Sequence, residues 1–524
     1  MRKLIVLLVA SAAAVATLTL QLRIKPSRAA PPKPLTPLPR LAPEGVVAFE
    51  IVDAATGERI PGKLTFVGIL GTPDPLLTHG DIGREDEGGI SAYNRTYTVA
   101  GIGAVRVPYG AYDIYVSRGL EWDRYVARNV RLDARGFELR APLRRAFETP
   151  GWISADFHVH AAKSSDSRVP MIDRVYEFAA DGVEMIVATD HNVLSDYAPY
   201  IAEAGAGRYL ASAVGDELTS NGWGHFGAFP LPEDLEAPGG GSVLLRGRTA
   251  HDFFRDIRAV APFAVIDIHH PRIDQEIGYF NLGQLDSVAD EAHRPGFSYD
   301  FDAVEVLNGY QDPERRSVDR NIEDWFSLLE HGHLVTATGN SDSHHLKLNI
   351  GGFPRNYVAV VEDRPAQLKA IDVARAVKGH HSQFTTGPFV DLRVNRGRLG
   401  DVVLAKDGKV HIELNVSAAP WVSVSEVRVY LDGREKERFT VPPSTETARF
   451  RKQLDWTLVH DGFVVVRVDG DKSLAPIVGD NNRFTVLPLA LTNPVFVDVD
   501  GNGSFDAPKR NLVHTPPRPS ERKP

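Results

Sequence analysis

The sequence predicts a mixed α/β protein in which a central region of alternating strands and helices lies between two all-β regions. In the central region, residues 151–387, short apolar strands alternate with amphipathic helices, and such βα repeats form parallel sheets or barrels. Residues 44–148 and 388–510 instead place apolar side chains at every second position, which is the period of a half-buried strand. Each flanking region is therefore predicted to be a β-sandwich.

The helix and strand signals of the central region follow each other closely. A helix follows Pro170 and ends at Gly182, and an apolar strand at residues 185–188 comes next. A later helix is predicted to open at Asp312-Pro313, and the strand at residues 334–338 follows it directly. This alternation favours a parallel arrangement of the strands.

Composition narrows the possible functions. The chain has 524 residues, more than one apolar core usually supports, so several domains are expected. The net charge of −9 gives no reason to expect nucleic-acid binding, which normally requires a basic excess. Cysteine is absent, which excludes disulfides, thiolate metal sites and cysteine nucleophiles. Any metal must therefore be held by nitrogen and oxygen atoms.

The N-terminus has the features of an export signal. Arg2 and Lys3 precede an apolar run at residues 4–20, and small residues follow at Ser27 and Ala29. We predict a signal peptide at residues 1–30, with an uncleaved membrane anchor as the alternative. The protein is then expected in the periplasm or outside the cell, and at the membrane only if the segment is uncleaved. A proline-rich linker at residues 31–43 and a disordered tail at residues 511–524 complete the predicted organisation.

The histidines are concentrated in the central region. Twelve of the 18 lie between Trp152 and His345, and several come directly after apolar strands. In a βα barrel the carboxyl ends of all strands face one mouth, so side chains that are distant in sequence converge there.

The individual strand ends carry metal-binding residue types. His158 and His160 are two residues apart in an extended segment, so both imidazoles point to the same side. A single such residue is more often a hydrogen-bonded strand end than a ligand. However, concentrated charge at one mouth is costly unless cations neutralise it. The sequence therefore predicts a metal cluster, to which the other strand ends contribute Asp190-His191, Glu217, His225, His269-His270 and Asp342-Ser343-His344.

Taken together, these motifs resemble the PHP domain, which is shared by bacterial DNA polymerases and histidinol phosphatase. The resemblance covers residues 151 to 385, and its motifs are Asp156-Phe157-His158-Val159-His160, Thr189-Asp190-His191, Asp216-Glu217, His270-Pro271 and Ser341-Asp342-Ser343-His344. The flanking sandwiches and the signal look most like the exported CehA/McbA-like branch. The resemblance implies a distorted (β/α)7 barrel at residues 151–387 and two or three divalent transition metal ions. Zinc, manganese and iron all accept these ligands.

The resemblance also implies a ligand set. His158, His160, Glu217 and Asp342 would hold one metal, with Glu217 bridging to the next. His269 stands where the family commonly has asparagine, and it is expected to be a hydrogen-bond donor or an extra ligand. His345 is expected to face substrate or solvent. The cluster would be completed by His191, His225, His270 and His344, with Asp166 as a further candidate.

The implied mechanism uses a hydroxide that bridges the metals and attacks a phosphorus or carbonyl centre. Asp342 or His225 would transfer the proton. Arg272 and Lys163 are candidate clamps for a substrate anion, and a solvated surface charge is the alternative for each.

Several functions remain open at this stage. The leading prediction is a metal-dependent hydrolase of a small-molecule phosphoester, which the wider PHP family favours. The exported branch favours hydrolysis of a carboxylic ester, amide or carbamate by the same chemistry. A protein that binds a glycan or a partner through its sandwiches, and a structural or storage metal site, are alternatives from other classes.

One further motif resembles the start of a calcium loop. Asp498, Asp500 and Asn502 have the required spacing, but the twelfth position is Lys509, where the loop needs a bidentate carboxylate. We therefore predict a plain turn.

Overall fold

The structure is a computed structural model, and it describes residues 42–78, 80–234, 236–273, 276–309, 316–347, 350–479 and 485–509. The predicted signal peptide, the linker up to residue 41, the C-terminal tail and the helix start at Asp312-Pro313 lie outside these residues. No helix of the described part is long and apolar enough to cross a membrane. From Pro43 onward the described residues belong to one compact unit.

The first part of the chain folds into two sheets that share an apolar core. Its strands are β1 (Glu44–Asp53), β2 (Gly62–Gly68), β3 (Arg84–Asp86), β4 (Gly89–Ala92), β5 (Arg95–Thr98), β6 (Ile102–Pro108), β7 (Gly110–Ser117), β8 (Tyr125–Leu132) and β9 (Phe137–Leu143). One sheet has the strand order β6-β1-β9 and the other the order β3-β4-β5-β2-β7-β8. Alternate residues of β1 are buried, and Val47, Phe66 and Ile114 lie in the shared core.

The central part combines strands and helices. Its first half contains β10 (Trp152–Val159), α1 (Met171–Ala180), β11 (Met185–Ala188), α2 (Ala198–Glu203), β12 (Ala211–Val214), β13 (Asp216–Ser220), β14 (Gly224–Phe229), a 3₁₀ turn at Pro238–Gly241, and α3 (Ala250–Val260). Its second half contains β15 (Val265–Ile268), α4 (Tyr279–Leu282), β16 (Leu285–Asp286), β17 (Glu291–Ala292), β18 (Ala303–Asn308), α5 (Arg316–Glu330), β19 (Thr336–Asn340), β20 (Arg355–Ala359), a 3₁₀ turn at Pro365–Gln367, α6 (Ala370–Lys378) and β21 (Ser382–Thr385).

The mixed α/β class predicted from the sequence is therefore correct, but the strand arrangement is more varied than parallel βα repeats. Strands β10, β11 and β12 are parallel, as are β15, β18 and β19. In contrast, β13 and β14 form an antiparallel hairpin, because only three residues join them and a parallel crossover needs many more. Isolated bridges between Val159 and Ser343 and between His191 and Glu217 link the two groups of strands.

The last part of the chain shares a sheet with the central part. Its elements are β22 (Phe389–Val394), β23 (Val402–Leu404), a 3₁₀ turn at Lys406–Gly408, β24 (Lys409–Ser417), β25 (Glu426–Leu431), β26 (Arg434–Thr440), β27 (Ala448–Thr457), β28 (Gly462–Asp469), β29 (Leu489–Thr492) and β30 (Val495–Asp498). One sheet runs in the order β12-β11-β10-β20-β21-β29-β28-β25-β26, so its ladder crosses the predicted boundary at residue 387. A three-stranded sheet, β22-β24-β27, packs against this sheet through a second apolar core.

Buried polar contacts join the first part of the chain to the central part. The Lys63 ammonium lies 2.7 Å from the Asp181 carboxylate, and both side chains are fully buried. On the same side, the Asp173 carboxylate accepts a hydrogen bond from the Gly83 backbone N–H at 2.7 Å. The N-terminal sheets are therefore fixed against α1 and the residue that follows it.

Removing one member of the buried ion pair should be costly. We expect Lys63→Met to lower the free energy of unfolding by about 3–5 kcal/mol, because it leaves the Asp181 charge buried without its cation. Urea denaturation followed by circular dichroism measures this loss. Lys436→Met, at an exposed position of β26, is the control and should change stability by less than about 0.5 kcal/mol. A loss below about 1 kcal/mol for Lys63→Met would contradict this account of the interface.

Candidate metal centre

The imidazole and carboxylate side chains predicted from the sequence meet at one rim of the central part. His158 lies in β10 and His160 directly after it, while His191, His270 and Asp342 follow β11, β15 and β19. These strands are parallel within their two groups, so their carboxyl ends face the same side. The β13–β14 hairpin adds Glu217 and His225 from a fifth direction.

Glu217 stands at the centre of this cluster. Its carboxylate is buried, and both oxygen atoms face imidazole nitrogens. Oε2 lies 2.8 Å from His191 Nδ1 and 3.3 Å from His160 Nε2. Oε1 lies between 2.9 and 3.4 Å from four further nitrogens, which are His158 Nε2, His225 Nδ1, His269 Nδ1 and His270 Nε2.

Asp342, which follows β19, faces the same space as Glu217. Its Oδ1 lies 3.2 Å from His158 Nε2 and 3.3 Å from His160 Nε2. Its Oδ2 accepts a hydrogen bond from Asn308 at 3.1 Å. One oxygen atom is thus held by Asn308, while the other converges with three imidazoles, those of His158, His160 and His344.

A second group lies nearer to solvent. Asp166 Oδ2 is 3.0 Å from His191 Nε2 and 3.1 Å from His344 Nε2, and the Asp166 side chain is 49% exposed. With His160, these residues offer four ligand atoms that all lie within 4.8 Å of one another. Three further groups of the same kind overlap with it, namely His158–His160–Glu217, His158–His270–Asp342 and His191–Glu217–His225.

The hydrogen bonding at the centre is incomplete in a way that fits metal ions. Buried atoms of four side chains make no hydrogen bond to any described residue, although they lie close to one another: His158 Nε2, His160 Nε2, Glu217 Oε2 and His225 Nδ1. Two ligand atoms on one zinc-like ion are separated by about 2.8–3.6 Å, given bonds of about 2.0–2.2 Å. The separations of 2.8–3.4 Å around Glu217 lie in this range. The lone pairs of these atoms therefore converge as the ligands of shared cations do.

The charges of the cluster depend on one another. Burial lowers the pKa of His158, but the carboxylates of Asp342 and Glu217 outweigh burial and hold this pKa well above its ordinary value. Burial raises the pKa of Glu217, but the imidazoles of His158 and His191 hold it well below its ordinary value. Burial lowers the pKa of His160 to about 3, so this imidazole is neutral, the form that binds metals. Cations can thus take the place of the protons that balance these carboxylates.

A layer of polar residues beneath the cluster fixes the ligands. Glu305, from β18, is fully buried and accepts hydrogen bonds from His158 Nδ1 at 3.0 Å and from the His270 backbone N–H at 2.7 Å. Asn308 and Asn340 also donate to Glu305. Sequence reasoning did not single out Glu305, although a charged residue inside the apolar strand of residues 303–308 is a signal that could have identified it.

Two ligand candidates have backbone conformations that are unusual for their residue types. His270 has a φ of 28° and Asp342 a φ of 50°. Such left-handed conformations cost about 1–3 kcal/mol for residues other than glycine and concentrate at functional sites. The bond from the His270 backbone to Glu305 helps to hold this geometry.

His269 takes the role of a hydrogen-bond donor. Its Nδ1 is 2.9 Å from Glu217 Oε1 with hydrogen-bond geometry, and its ring stacks on His158 with the centroids 3.6 Å apart. A Cβ atom at Gly227 would lie 2.2 Å from His269 Nε2, so only glycine leaves room for this ring. The structure thus favours the donor over the extra ligand, the two alternatives left open by the sequence.

The two predicted anion clamps have different surroundings. The Arg272 guanidinium is bound to Asp324 at 2.7 Å and to Asn281 at 3.2 Å, and its role as an anion clamp stays a prediction. Lys163 is exposed on the loop after β10. His345 is 37% exposed and lies 2.8 Å from Asp81 of the N-terminal part, a contact that sequence reasoning missed.

The calcium-like motif forms an acidic cluster in the C-terminal part of the chain, distant in sequence from the histidines of the metal centre. Asp461 joins Asp498 and Asp500 there. The oxygens of Asp498 accept hydrogen bonds from Gly501 and Gly503, and Asp461 accepts bonds from Val499 and Asp506. These bonds are those of a turn, and the plain turn stays a prediction because the three carboxylates also have the spacing of metal ligands.

Comparison with known proteins gives only remote likenesses. No family model matches the chain, and no curated protein matches it. One similar solved structure is a two-domain protein from Bacteroides vulgatus ATCC 8482 that contains a predicted PHP-like metal-dependent phosphoesterase. It is 16% identical in sequence, the match covers 66% of this chain and 97% of that protein, and the TM-score is 0.35. Endonuclease Q, in complex with a 27-mer duplex substrate with an abasic lesion, is 13% identical, covers 44% of this chain and 57% of its own, and has a TM-score of 0.29. The CARDB domain of PF1109 from Pyrococcus furiosus is 21% identical over 22% of this chain and 97% of its own, with a TM-score of 0.15. All three TM-scores lie below 0.5, so the assignment of the metal centre depends on the geometry of the site itself.

Metal content tests the cluster directly. We expect about two or three transition-metal ions per chain in the purified protein, because the ligand groups overlap around Glu217. His158→Ala combined with His160→Ala should remove most of this metal without changing the circular dichroism spectrum. Elemental analysis by mass spectrometry gives the stoichiometry. His411→Ala combined with His460→Ala, in the C-terminal part, is the matched control, and an equal metal content in both double variants would argue against the centre.

Glu305 should affect metal affinity without touching the ions. In Glu305→Gln the amide NH₂ faces either His158 Nδ1 or the His270 backbone N–H, so one donor loses its acceptor. Metal affinity, measured by competition with a chromophoric chelator, is expected to fall about 10–100-fold. Glu323→Gln, at an exposed position of α5, should leave the affinity unchanged. Equal affinities in the two variants would show that Glu305 does not position the ligands.

Proposed function

We propose that this protein is a metal-dependent hydrolase of the PHP class that cleaves a phosphoester. The observation that supports the proposal most strongly is the group of overlapping ligand sets that share the buried Glu217 carboxylate. Overlapping sets accommodate neighbouring ions, and paired ions suit phosphoryl transfer because they stabilise both the attacking and the leaving oxygen. We further propose that the strands that carry these ligands form the distorted (β/α)7 barrel of this class.

The ligand roles follow from the contacts. We assign the inner positions to His158, His160, Glu217, His270 and Asp342, and the outer positions to Asp166, His191, His225 and His344. Zinc, manganese or iron ions held there would polarise the ester and make bound water acidic enough to react near neutral pH.

The residues of the chain orient these groups and move the proton. Glu305 and Asn308 hold His158 and Asp342 in place. His225 lies at the rim with its side chain 12% exposed, whereas Asp342 is enclosed among imidazoles. Both residues are also assigned as ligands, so Asp342 and His225 both remain candidate proton carriers.

We also propose that the chain is exported and belongs to the CehA/McbA-like branch. Arg2 and Lys3, with the apolar run at residues 4–20, support a signal peptide. Residues 44–148 and 388–510 would then be the β-sandwiches that flank the catalytic part. The net charge of −9 supports a small-molecule substrate over nucleic acid.

Hydrolysis of simple esters tests this function. The metal-loaded protein should cleave bis(p-nitrophenyl) phosphate or p-nitrophenyl phosphate faster than p-nitrophenyl acetate, and a chelator should abolish the activity until metal is restored. Glu217→Gln should lower kcat/KM by about a thousandfold or more, since losing an ion removes several kcal/mol of transition-state stabilisation.

The control is Glu323→Gln, which should retain the wild-type kcat/KM. Faster hydrolysis of the acetate than of either phosphate would favour the carboxylic ester class. Full activity in the presence of a chelator would contradict the proposed mechanism.

A further inference from the structure

A cavity of about 770 Å³ opens beside the metal centre, at the turn of the β13–β14 hairpin. Its wall includes Asn192, which follows His191, and Thr219, whose hydroxyl group is hydrogen-bonded to His191 Nδ1. The Asn192 side chain in turn bonds to the Thr219 backbone. The cavity thus begins directly behind a metal-ligand candidate, and its volume is typical of small-molecule sites.

The hairpin sets the distance between the two sites. Glu217 and Thr219 are two residues apart on β13, so they share one face of the strand and lie about 7 Å apart. The wall of the cavity therefore begins at Thr219, about 7 Å along β13 from Glu217, and the contacts of Arg294 lie farther along the hairpin, at Gly222.

The cavity is positively charged. Among the residues that the structure describes, no aspartate or glutamate contributes to its wall, whereas Arg246, Arg248 and Arg294 do. Arg248 is paired with Asp256. Neither Arg246 nor Arg294 forms an ion pair with any residue that the structure describes. Two guanidinium groups are thus available to an anion, in a protein whose net charge is −9.

Arg294 is held in place without a carboxylate. Its guanidinium carbon lies 4.0 Å from the centre of the buried Trp223 ring, and its N–H groups donate to the carbonyls of Gly222 and Leu282. Trp223, Val243 and Leu245 make part of the same wall apolar. The wall of the cavity therefore combines apolar side chains with positive charge.

We propose that this cavity binds the non-reacting part of the substrate, and that this part carries an apolar group and a second anionic group that Arg246 and Arg294 recognise. The proposal rests on the proposed hydrolase function and narrows its substrate class to small esters with an acidic group on the part remote from the reacting bond. Arg246 and Arg294 would be specificity-determining residues, because they touch the substrate far from the reacting atoms.

A matched ligand pair tests this assignment. 4-Hydroxybenzoate and 4-hydroxybenzamide have the same size and differ in charge, and calorimetry measures their binding to the metal-loaded full chain. We expect the carboxylate to bind at least about tenfold more tightly, the effect of one charge-assisted hydrogen bond.

Variants test whether the two arginines cause the preference for the carboxylate ligand. Arg246→Met and Arg294→Lys should each reduce it about tenfold, since the first removes a charge and the second removes the planar fork. Arg246 is exposed, so its variant tests the proposal even if Arg294→Lys folds poorly. Arg131→Met, on the exposed side of β8, is the control and should keep the preference. His158→Ala with His160→Ala should also keep it, because metal ions are not its source.

The outcomes separate this proposal from the hydrolase function. Equal binding of the two ligands, or a preference that survives both arginine variants, would overturn the anion site. A preference lost only in the double histidine variant would assign the carboxylate to the metals and overturn it as well. Retained preference without hydrolysis of 4-carboxyphenyl phosphate or its amide analogue would instead contradict the hydrolase, and the anion site would stand.

Discussion

The site depends on one buried carboxylate that faces six imidazoles. Glu217 is inaccessible to water, and its two oxygen atoms lie within 3.4 Å of nitrogens from four separate segments of the chain. Such a concentration of ionisable groups is unfavourable in a protein interior unless protons or cations balance it. Strand ends, loop conformations and the polar layer below all serve to bring these groups to one point.

The surrounding structure holds these ionisable groups in place through hydrogen bonds. Glu305 orients His158 and the His270 backbone from below, and Asn308 holds one oxygen of Asp342. The loop that carries His344 and His345 is held from the other side, where Asp81 of the N-terminal part meets His345. The first part of the chain is therefore in direct contact with the loop at the rim of the site, through Asp81.

Most ligand candidates could be predicted because they lie at or near the ends of strands, and the carboxyl ends of parallel strands meet. Glu305 was missed because it lies within a strand rather than at its end. Arg272 pairs with Asp324, and β21 pairs with β29 more than a hundred residues away. The periodicity of the sequence does not indicate which distant segments pair in this way. The local sequence pattern thus predicts which side chains lie at a strand end, whereas the residues that they contact are known only from the folded structure.

Anomalous diffraction from crystals grown with zinc or manganese, recorded at the metal absorption edge, tests the central claim most directly. The account predicts two or three peaks around Glu217, each within about 2.6 Å of imidazole or carboxylate atoms of the cluster. A map with no peak there, or with peaks only at the acidic turn of Asp461 and Asp498, would contradict it.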